Sequence, residues 1–326
     1  MNIYKGKTVL VTGHTGFKGS WMSKWLYLMG ANVYGYSLYK GYHYERCMGD
    51  WKFRKHDIRN YSEIYNGIES CKPDIVFHFA GQAIVKIANM SPETTFNTNT
   101  LGTINLLNAS IKLGVRNVVV ITTDKVYRPK SEPHKELDEL FGVDAYSQSK
   151  VAAEYACNHF REQGLNVITV RAGNVIGGGD MAPFRLIPDL IRSRTDGPVV
   201  INTPSAIIPF QYILDCLYGY LLVGKVLLNG NYFNVPHFNF GPKKSTSVSA
   251  VCKIASECWN EIKYIDIINE PKTNPLILDA SKAKYELDWE PRYSIEESVK
   301  RTIAGYKSET TVQEIKEYME GCGWLI

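Results

Sequence analysis

The chain has 326 residues, 44% hydrophobic and 21% charged, an ordinary globular composition with room for one large domain or two sharing an interface. Its net charge of +4 is small and scattered, which excludes the basic stripe of a nucleic-acid-binding protein. The seven cysteines (Cys47, Cys71, Cys157, Cys216, Cys252, Cys258, Cys322) form no CxxC pair, and no leader or membrane-length apolar run is seen. They read as reduced thiols of a soluble, cytoplasmic protein without a metal site or membrane partner.

In chain order, Lys7-Thr8-Val9-Leu10-Val11 predicts a buried strand. It runs into Thr12-Gly13-His14-Thr15-Gly16-Phe17-Lys18-Gly19 and then a helix carrying Trp21, Leu26 and Leu28. Strand, glycine loop and helix make the phosphate-binding turn of a dinucleotide fold. Gly13 permits the tight turn, Gly16 lets the backbone approach a pyrophosphate, and Gly19 lets helix and strand pack closely. The helix N-terminus then faces the anion. Asn32 to Tyr36 predicts the second strand. An acid that would hold the adenosine ribose is replaced there by Ser37-Leu38-Tyr39-Lys40, so this position does not choose between NAD and NADP. Asp57, in Asp57-Ile58-Arg59, suits either an adenine acceptor or a cap of the helix that follows.

Asp74 to His78 predicts another strand, leaving through Phe79-Ala80-Gly81-Gln82, whose small residues allow a cofactor to approach. His78, inside an apolar run, reads as a core histidine. Asn97 to Gly102 opens an amphipathic helix through Leu106, Leu107 and Ile111. Strands and helices alternate at short spacing to about Arg171, which predicts an α/β fold with a Rossmann-like, doubly wound parallel sheet over residues 1–172. Beyond it, Ala172 to Asp180 reads as loop. Residues 173–326 read as a smaller, mixed α/β C-terminal region covering the substrate, with a segment near 207–236 returning to the first domain. Two apolar segments are expected near Leu217 and Tyr232. Thr311 to Ile326 reads as an extra helix with Val312, Ile315, Tyr318 and Met319 on one face.

The chemistry concentrates between Thr122 and Lys150. Val118 to Ile121 is a buried strand ending in Thr122-Thr123-Asp124-Lys125. Tyr146-Ser147-Gln148-Ser149-Lys150 then opens a helix to about Gln163, with Tyr146 and Lys150 one turn apart on one face. A strand end bearing threonine, aspartate and lysine thus faces a helix bearing tyrosine and lysine.

With these motifs the chain resembles the extended short-chain dehydrogenase/reductase superfamily, and within it the CDP-glucose 4,6-dehydratases, to about Lys307. The likeness is carried by Thr12 to Trp21, Thr123-Asp124-Lys125, Asp144 to Lys150, Arg171 to Asp180, Arg185 to Pro188, Leu278 to Ala283 and Trp289 to Pro291. The Asp-Lys pair is similar to dehydratases rather than epimerases, although UDP-N-acetylglucosamine 4,6-dehydratases share it. An epimerase, a 4-reductase, or a dehydratase of another NDP-hexose is the alternative.

The resemblance implies tightly bound NAD, a nucleotide-sugar substrate and a homodimer or dimer of dimers. The dimer would pack the helices after Asn99 and Tyr146 as a four-helix bundle, for which Leu106, Leu107 and Ile111 are suited, as they are for an internal core. It places the cofactor on Gly13, Thr15, Gly16, Phe17, Gly19, Asp57, Ile58, Phe79, Ala80, Gln82, Asn99, Thr122, Tyr146 and Lys150. It places the substrate on Gln82, Asn174, Arg185, Leu186, Gln211 and Arg292. Tyr146 would deprotonate the sugar 4-hydroxyl, which needs a tyrosine shifted by roughly 3 units, about 4 kcal/mol, from its ordinary value. Lys150 and the nicotinamide charge would supply that shift. Thr123 would hold the 4-oxygen, Lys125 as a neutral amine would take the C5 proton, and Asp124 would protonate the departing 6-hydroxyl.

Two segments depart from the pattern. Lys86-Ile87-Ala88-Asn89 stands where the family has an arginine and then Ser-Tyr, and Ile208-Pro209-Phe210-Gln211-Tyr212 stands where it has Arg-Pro-Trp-Gln-His. Ile208 cannot pair with a diphosphate, a contact worth about 1.5–3 kcal/mol. Lys18, Arg185 and Arg292 are the candidate replacements.

Overall fold

Seven parallel strands order the molecule: β1 (Thr8–Thr12), β2 (Asn32–Ser37), β3 (Lys52–Lys55), β4 (Ile75–His78), β5 (Asn117–Ile121), β6 (Asn166–Ala172) and, much later, β11 (His237–Phe240). The computed structural model describes residues 2–39, 52–267 and 274–324; Lys40 and Cys47 lie outside them. The spatial order is β11-β6-β5-β4-β1-β2-β3. The chain therefore winds one way from β1 to β3, then crosses back to β4 and winds the other way. That reversal, between β1 and β4, opens a crevice at the strands' C-terminal ends.

Both faces of the sheet are covered, so its central strands are continuous apolar runs rather than alternating ones. Val9, Leu10, Val11, Ile75, Val76, Phe77, Val118 and Val119 are wholly buried. One face carries α2 (Tyr61–Cys71), α5 (Gly102–Lys112) and α6 (Ala145–Glu162), packed through Ile64, Ile68, Leu106, Leu107 and Cys157. Leu106 and Leu107 are thus internal core, and Ile111 packs against the same cluster. The other face carries α1 (Phe17–Leu28) and α8 (Ile213–Leu228), packed through Trp21, Trp25, Leu217, Tyr220 and Phe238.

Before α5 the chain forms two short helices, α3 (Val85–Met90) and α4 (Pro92–Phe96), and then a π-helical turn over Asn97–Leu101. The predicted single helix from Asn97 is thus interrupted by a wide turn centred on Asn99. Such turns collect at functional sites because they re-aim a side chain.

After β6 the expected loop contains a strand. β7 (Asn174–Ile176) pairs in parallel with β10 (Phe210–Tyr212), a long-range partner that local composition does not announce. Two more pairs follow: β8 (Val199–Ile201) with β13 (Tyr264–Asp266), and β9 (Ile207–Ile208) with β12 (Thr246–Ser247). With α7 (Leu186–Asp196), α9 (Val248–Cys258) and α11 (Ile295–Lys307) they surround a separate core of Ile187, Leu190, Val251 and Ile303, whereas α10 (Ser281–Leu287) packs Ala283 and Leu287 into the core that holds α1 and α8. Leu217 lies in the buried α8. Tyr232 lies in an exposed connection before β11, so the second apolar segment begins five residues later than expected, at His237. The last helix, α12 (Thr311–Gly321), docks Ile315, Tyr318 and Met319 onto the α1 side of the core.

Among the described residues no helix is long and apolar enough to cross a membrane. The six described cysteines carry free thiols.

Candidate active site

A cavity of about 660 Å³ opens at the C-terminal ends of β1, β4, β5 and β6. Its floor is the glycine turn. Gly13 has φ +70°, and a Cβ there would lie 2.6 Å from the Ala80 nitrogen; a Cβ on Gly19 would lie 2.2 Å from the Gly13 carbonyl oxygen. Only glycine fits at either place. Gly16, the N-cap of α1, offers no side chain to close the helix end, and no acidic residue follows in the first turn. Gly16, Phe17, Lys18 and Gly19 line the cavity, so the positive end of α1 is presented to it. This cradle fits the pyrophosphate of a dinucleotide.

Thr12 and His78 support it. The Thr12 hydroxyl shares a 2.7 Å hydrogen bond with His78 Nδ1, whose Nε2 meets the Thr103 hydroxyl at 3.1 Å. Burial, then Lys150, lowers His78 to about 3, so it is a neutral core histidine. Asn99, carried on the π-turn, accepts from the Gln82 backbone N–H at 2.8 Å. It donates to the Gln82 carbonyl and the Ser149 hydroxyl, both at 2.9 Å. That lock fixes the strand exit at the cavity, next to Lys150. At the other end, the Ser37 hydroxyl bonds His14 Nδ1 at 3.0 Å.

The reacting groups meet where β5 ends. Thr123 caps a one-turn helix, Asp124–Val126, accepting from the Lys125 N–H at 3.3 Å. Its hydroxyl donates to Asp124 Oδ1 at 3.0 Å. The Asp124 side chain is 2% exposed and Lys125 33%, with Nζ 4.0 Å from Asp124 Oδ1. Opposite them, α6 starts with a capping box between Asp144 and Ser147, which sets the register of Tyr146 and Lys150. Thr123, Asp124, Lys125 and Tyr146 all line the cavity. Burial raises the Tyr146 phenol above its ordinary value, while the Thr123 hydroxyl and the Arg185 charge act to lower it. Lys150 lies behind, donating from Nζ to the Ile121 carbonyl at 3.0 Å. Burial, with the Lys18 charge, lowers it to about 8. Arg185 therefore supplies to the phenol part of the field expected from Lys150.

Other expected residues divide. Thr122, Phe79, Gln82, Asn174, Arg185 and Leu186 line the cavity. Thr15 is buried in the glycine turn, its N–H on the Ser37 hydroxyl at 3.3 Å, and the Ala80 N–H donates to the Thr12 hydroxyl at 3.3 Å. Asp57 is clamped by Arg59 at 2.6 Å, and Asn60, not Asp57, caps α2. Ile58 is buried in the core beneath Gly102. Gln211 donates to the Phe240 carbonyl at 2.6 Å and is buried away from the cavity. Arg292 is not brought to it either: its Nη1 donates to the Tyr318 carbonyl at 3.0 Å and its guanidinium lies 4.8 Å from the Tyr318 ring centroid. The arginine after Trp289-Glu290-Pro291 thus serves the tail helix.

The cavity also contains residues that the sequence did not assign to the site. Lys86 sits 4.2 Å from the Phe184 ring centroid, and Phe184 holds φ +57°, a strained value for a bulky residue. The Tyr306 hydroxyl donates to the Asp180 carbonyl, tying α11 to the cavity wall. Lys18, Lys86 and Arg185 line the same cavity as the uncharged Ile208.

The model of the NAD dependent epimerase/dehydratase family matches residues 9–235. The chain is 37% identical to CDP-glucose 4,6-dehydratase of Salmonella typhimurium, covering 94% of this chain and 92% of that one. Among solved structures it is similar to UDP-glucose 4-epimerase of Thermotoga maritima with UDP-glucose (26% identical, TM-score 0.81, 92% and 98% of the two chains). The fold is also that of UDP-glucose-4-epimerase of Stenotrophomonas maltophila with bound NAD (21%, TM-score 0.83, 92% and 97%).

Proposed function

The chain belongs to the NAD dependent epimerase/dehydratase family, and from that premise we propose that it is an NAD-dependent nucleotide-sugar 4,6-dehydratase acting on CDP-glucose. The observation that carries the reading is Asp124 and Lys125 on a strand-end turn, facing the same cavity as Tyr146. Tyr146 alone supports alcohol oxidation. An acid and an amine beside it add elimination.

NAD, when bound in the glycine cradle, supplies a hydride acceptor at C4 and the donor that later reduces C6. Tyr146 removes the 4-hydroxyl proton, and Thr123 holds the 4-oxygen. The 4-keto group acidifies C5, Lys125 takes that proton, and Asp124 gives one to the 6-hydroxyl as water leaves. The product is a 4-keto-6-deoxy sugar nucleotide. Lys150 holds the nicotinamide ribose, and its buried position behind Tyr146 is compatible with that role. Arg185, with Lys86 or Lys18, takes the diphosphate in place of the arginine missing at Ile208.

The same reading makes the protein a cytoplasmic homodimer, paired through the outer faces of α5 and α6, where Tyr155 and the neighbouring Leu101 stand exposed. Mass spectrometry of products from CDP-, UDP-, dTDP- and GDP-hexoses tests the reaction. CDP-glucose should give a product lighter by one water with no net NADH. A product of unchanged mass from every sugar nucleotide would make it an epimerase instead. Lys125→Met should abolish water loss while sparing C4 oxidation.

A further inference from the structure

The proposed chemistry uses five side chains, yet a buried carboxylate bonded by three other side chains lies just behind them. Glu154 is fully buried on α6, one turn beyond Lys150. Arg171, at the end of β6, meets it through Nε at 2.8 Å and Nη2 at 2.9 Å. The Thr122 hydroxyl donates to Glu154 Oε1 at 2.7 Å. Arg171 Nη1 donates to the Tyr127 hydroxyl at 2.9 Å, and that hydroxyl donates to Asn239 Oδ1 at 2.7 Å. Asn239 in turn is held by Glu136 through its backbone N–H at 3.0 Å.

Thr122 immediately precedes Thr123-Asp124-Lys125, and Tyr127 follows one residue after it. The two residues that bracket the acid–amine turn are therefore bonded to the two halves of one ion pair. The turn's own bonds are weak by comparison: the Val126 and Tyr127 N–H groups reach the Thr123 and Asp124 carbonyls at only 3.4 Å. A short helix so poorly closed needs outside fixing to hold Asp124 and Lys125 against C6 and C5.

We propose that Tyr127 and Arg171 are positioning residues for the elimination step, with the Glu154–Arg171 pair acting as a brace that fixes the Asp124-Lys125 turn relative to Tyr146 and Lys150. This rests on the dehydratase reading above. It separates two parts of one turnover. Oxidation depends on α6 and the glycine cradle, which keep their own anchors when Tyr127 is altered. Elimination depends on the turn, which does not.

The test is single-turnover kinetics of Tyr127→Phe with CDP-glucose. The phenylalanine keeps the ring stacked on His134, centroids 4.8 Å apart, and removes only the hydroxyl that bridges Arg171 and Asn239. Oxidation at C4 should stay within about twofold of wild type, while deuterium entry at C5 and loss of water slow by about 10- to 100-fold, the cost of a small misplacement. Bound reduced nicotinamide, read by its near-ultraviolet absorbance, then accumulates in the variant and not in wild type. Asn239→Ala, which removes the acceptor of the Tyr127 hydroxyl together with the Asn239 Nδ2 bonds to the His134 and Asp279 carbonyls, should move the same ratio in the same direction. If both steps fall together in Tyr127→Phe, or neither falls, the brace is overturned while the dehydratase reading stands. If wild type removes water from no sugar nucleotide, that reading fails and takes the brace with it.

Discussion

The two walls of the cavity are built on opposite terms. On the β5–α6 wall the polar groups behind the reacting side chains are already engaged: Glu154 holds Arg171, Thr122 and Thr169, and Lys150 holds the Ile121 carbonyl. On the wall facing it the cations are loosely held. Arg185 lies 4.0 Å from Asp180 and reaches the Ala83 carbonyl only at 3.4 Å, and Lys86 has a ring beneath it rather than a carboxylate. A wall that must keep catalytic atoms in place within tenths of an ångström is closed internally before any ligand arrives. A wall that must grip a polyanion keeps its charges available. Under the proposed function, the difference is in keeping with chemistry on the first and nucleotide recognition on the second.

The largest effect expected from this contrast is on stability. Glu154→Gln leaves Arg171 buried with a neutral partner and should cost about 3–5 kcal/mol in urea denaturation. The pH dependence sharpens it. Burial works to raise the Glu154 carboxyl, but Arg171 outweighs it and holds the group well below its ordinary value. A depressed carboxylate contributes stability in full above the unfolded-state value of about 4.3 and loses it as pH falls through the lower folded value. The wild-type advantage over Glu154→Gln should therefore be level from about pH 5 upward and shrink in acid. An advantage that grew in acid would contradict the charge state assigned to the pair.

This contrast also explains what could be read from the sequence. Thr123, Asp124, Lys125, Tyr146 and the glycine turn announce themselves because they are local: a strand end, a capped helix start, a glycine spacing. The parallel sheet follows from the same local alternation. Arg171 was visible as part of a motif, but Glu154 was not, because a glutamate one turn after a lysine looks like any solvated helix residue until β6 is laid beside it. β7 was taken for loop for the same reason, since its partner β10 lies more than thirty residues on. Arg292 and Gln211 were placed at the substrate by position in a pattern. The tail helix and the Phe240 carbonyl, which claim them, are distant in sequence.

On the open wall the expected effects are smaller and of another kind. Arg185→Ala should raise KM for the sugar nucleotide by about 10- to 100-fold, the equivalent of about 1.5–3 kcal/mol of charge-assisted binding. Stability should move by no more than about 0.5 kcal/mol, since the side chain is 35% exposed and weakly bonded. Lys86→Ala should act in the same direction by less, because Lys86 stands further out. A variant that unfolds before it loses affinity would mean that this wall, too, is structural.

The smallest effect concerns an arginine that could have belonged to either wall. Arg292 donates from its backbone N–H to Asp215 Oδ1 at 2.9 Å, and its guanidinium sits on the C-terminal end of α12. A Cβ on Gly321 would come within 2.1 Å of it, so the helix end is shaped around the side chain. A cation at a helix C-terminus is favourable with the dipole, and one hydrogen bond to a carbonyl is worth about 1 kcal/mol. Arg292→Ala should thus cost about 1 kcal/mol in denaturation and loosen the tail, seen as faster amide exchange through Ile315 to Met319. The backbone bond to Asp215 is independent of the side chain and should persist. KM for the sugar nucleotide should be unchanged. A rise in KM with stability intact would instead return Arg292 to the diphosphate, and would require α12 to swing away when substrate binds.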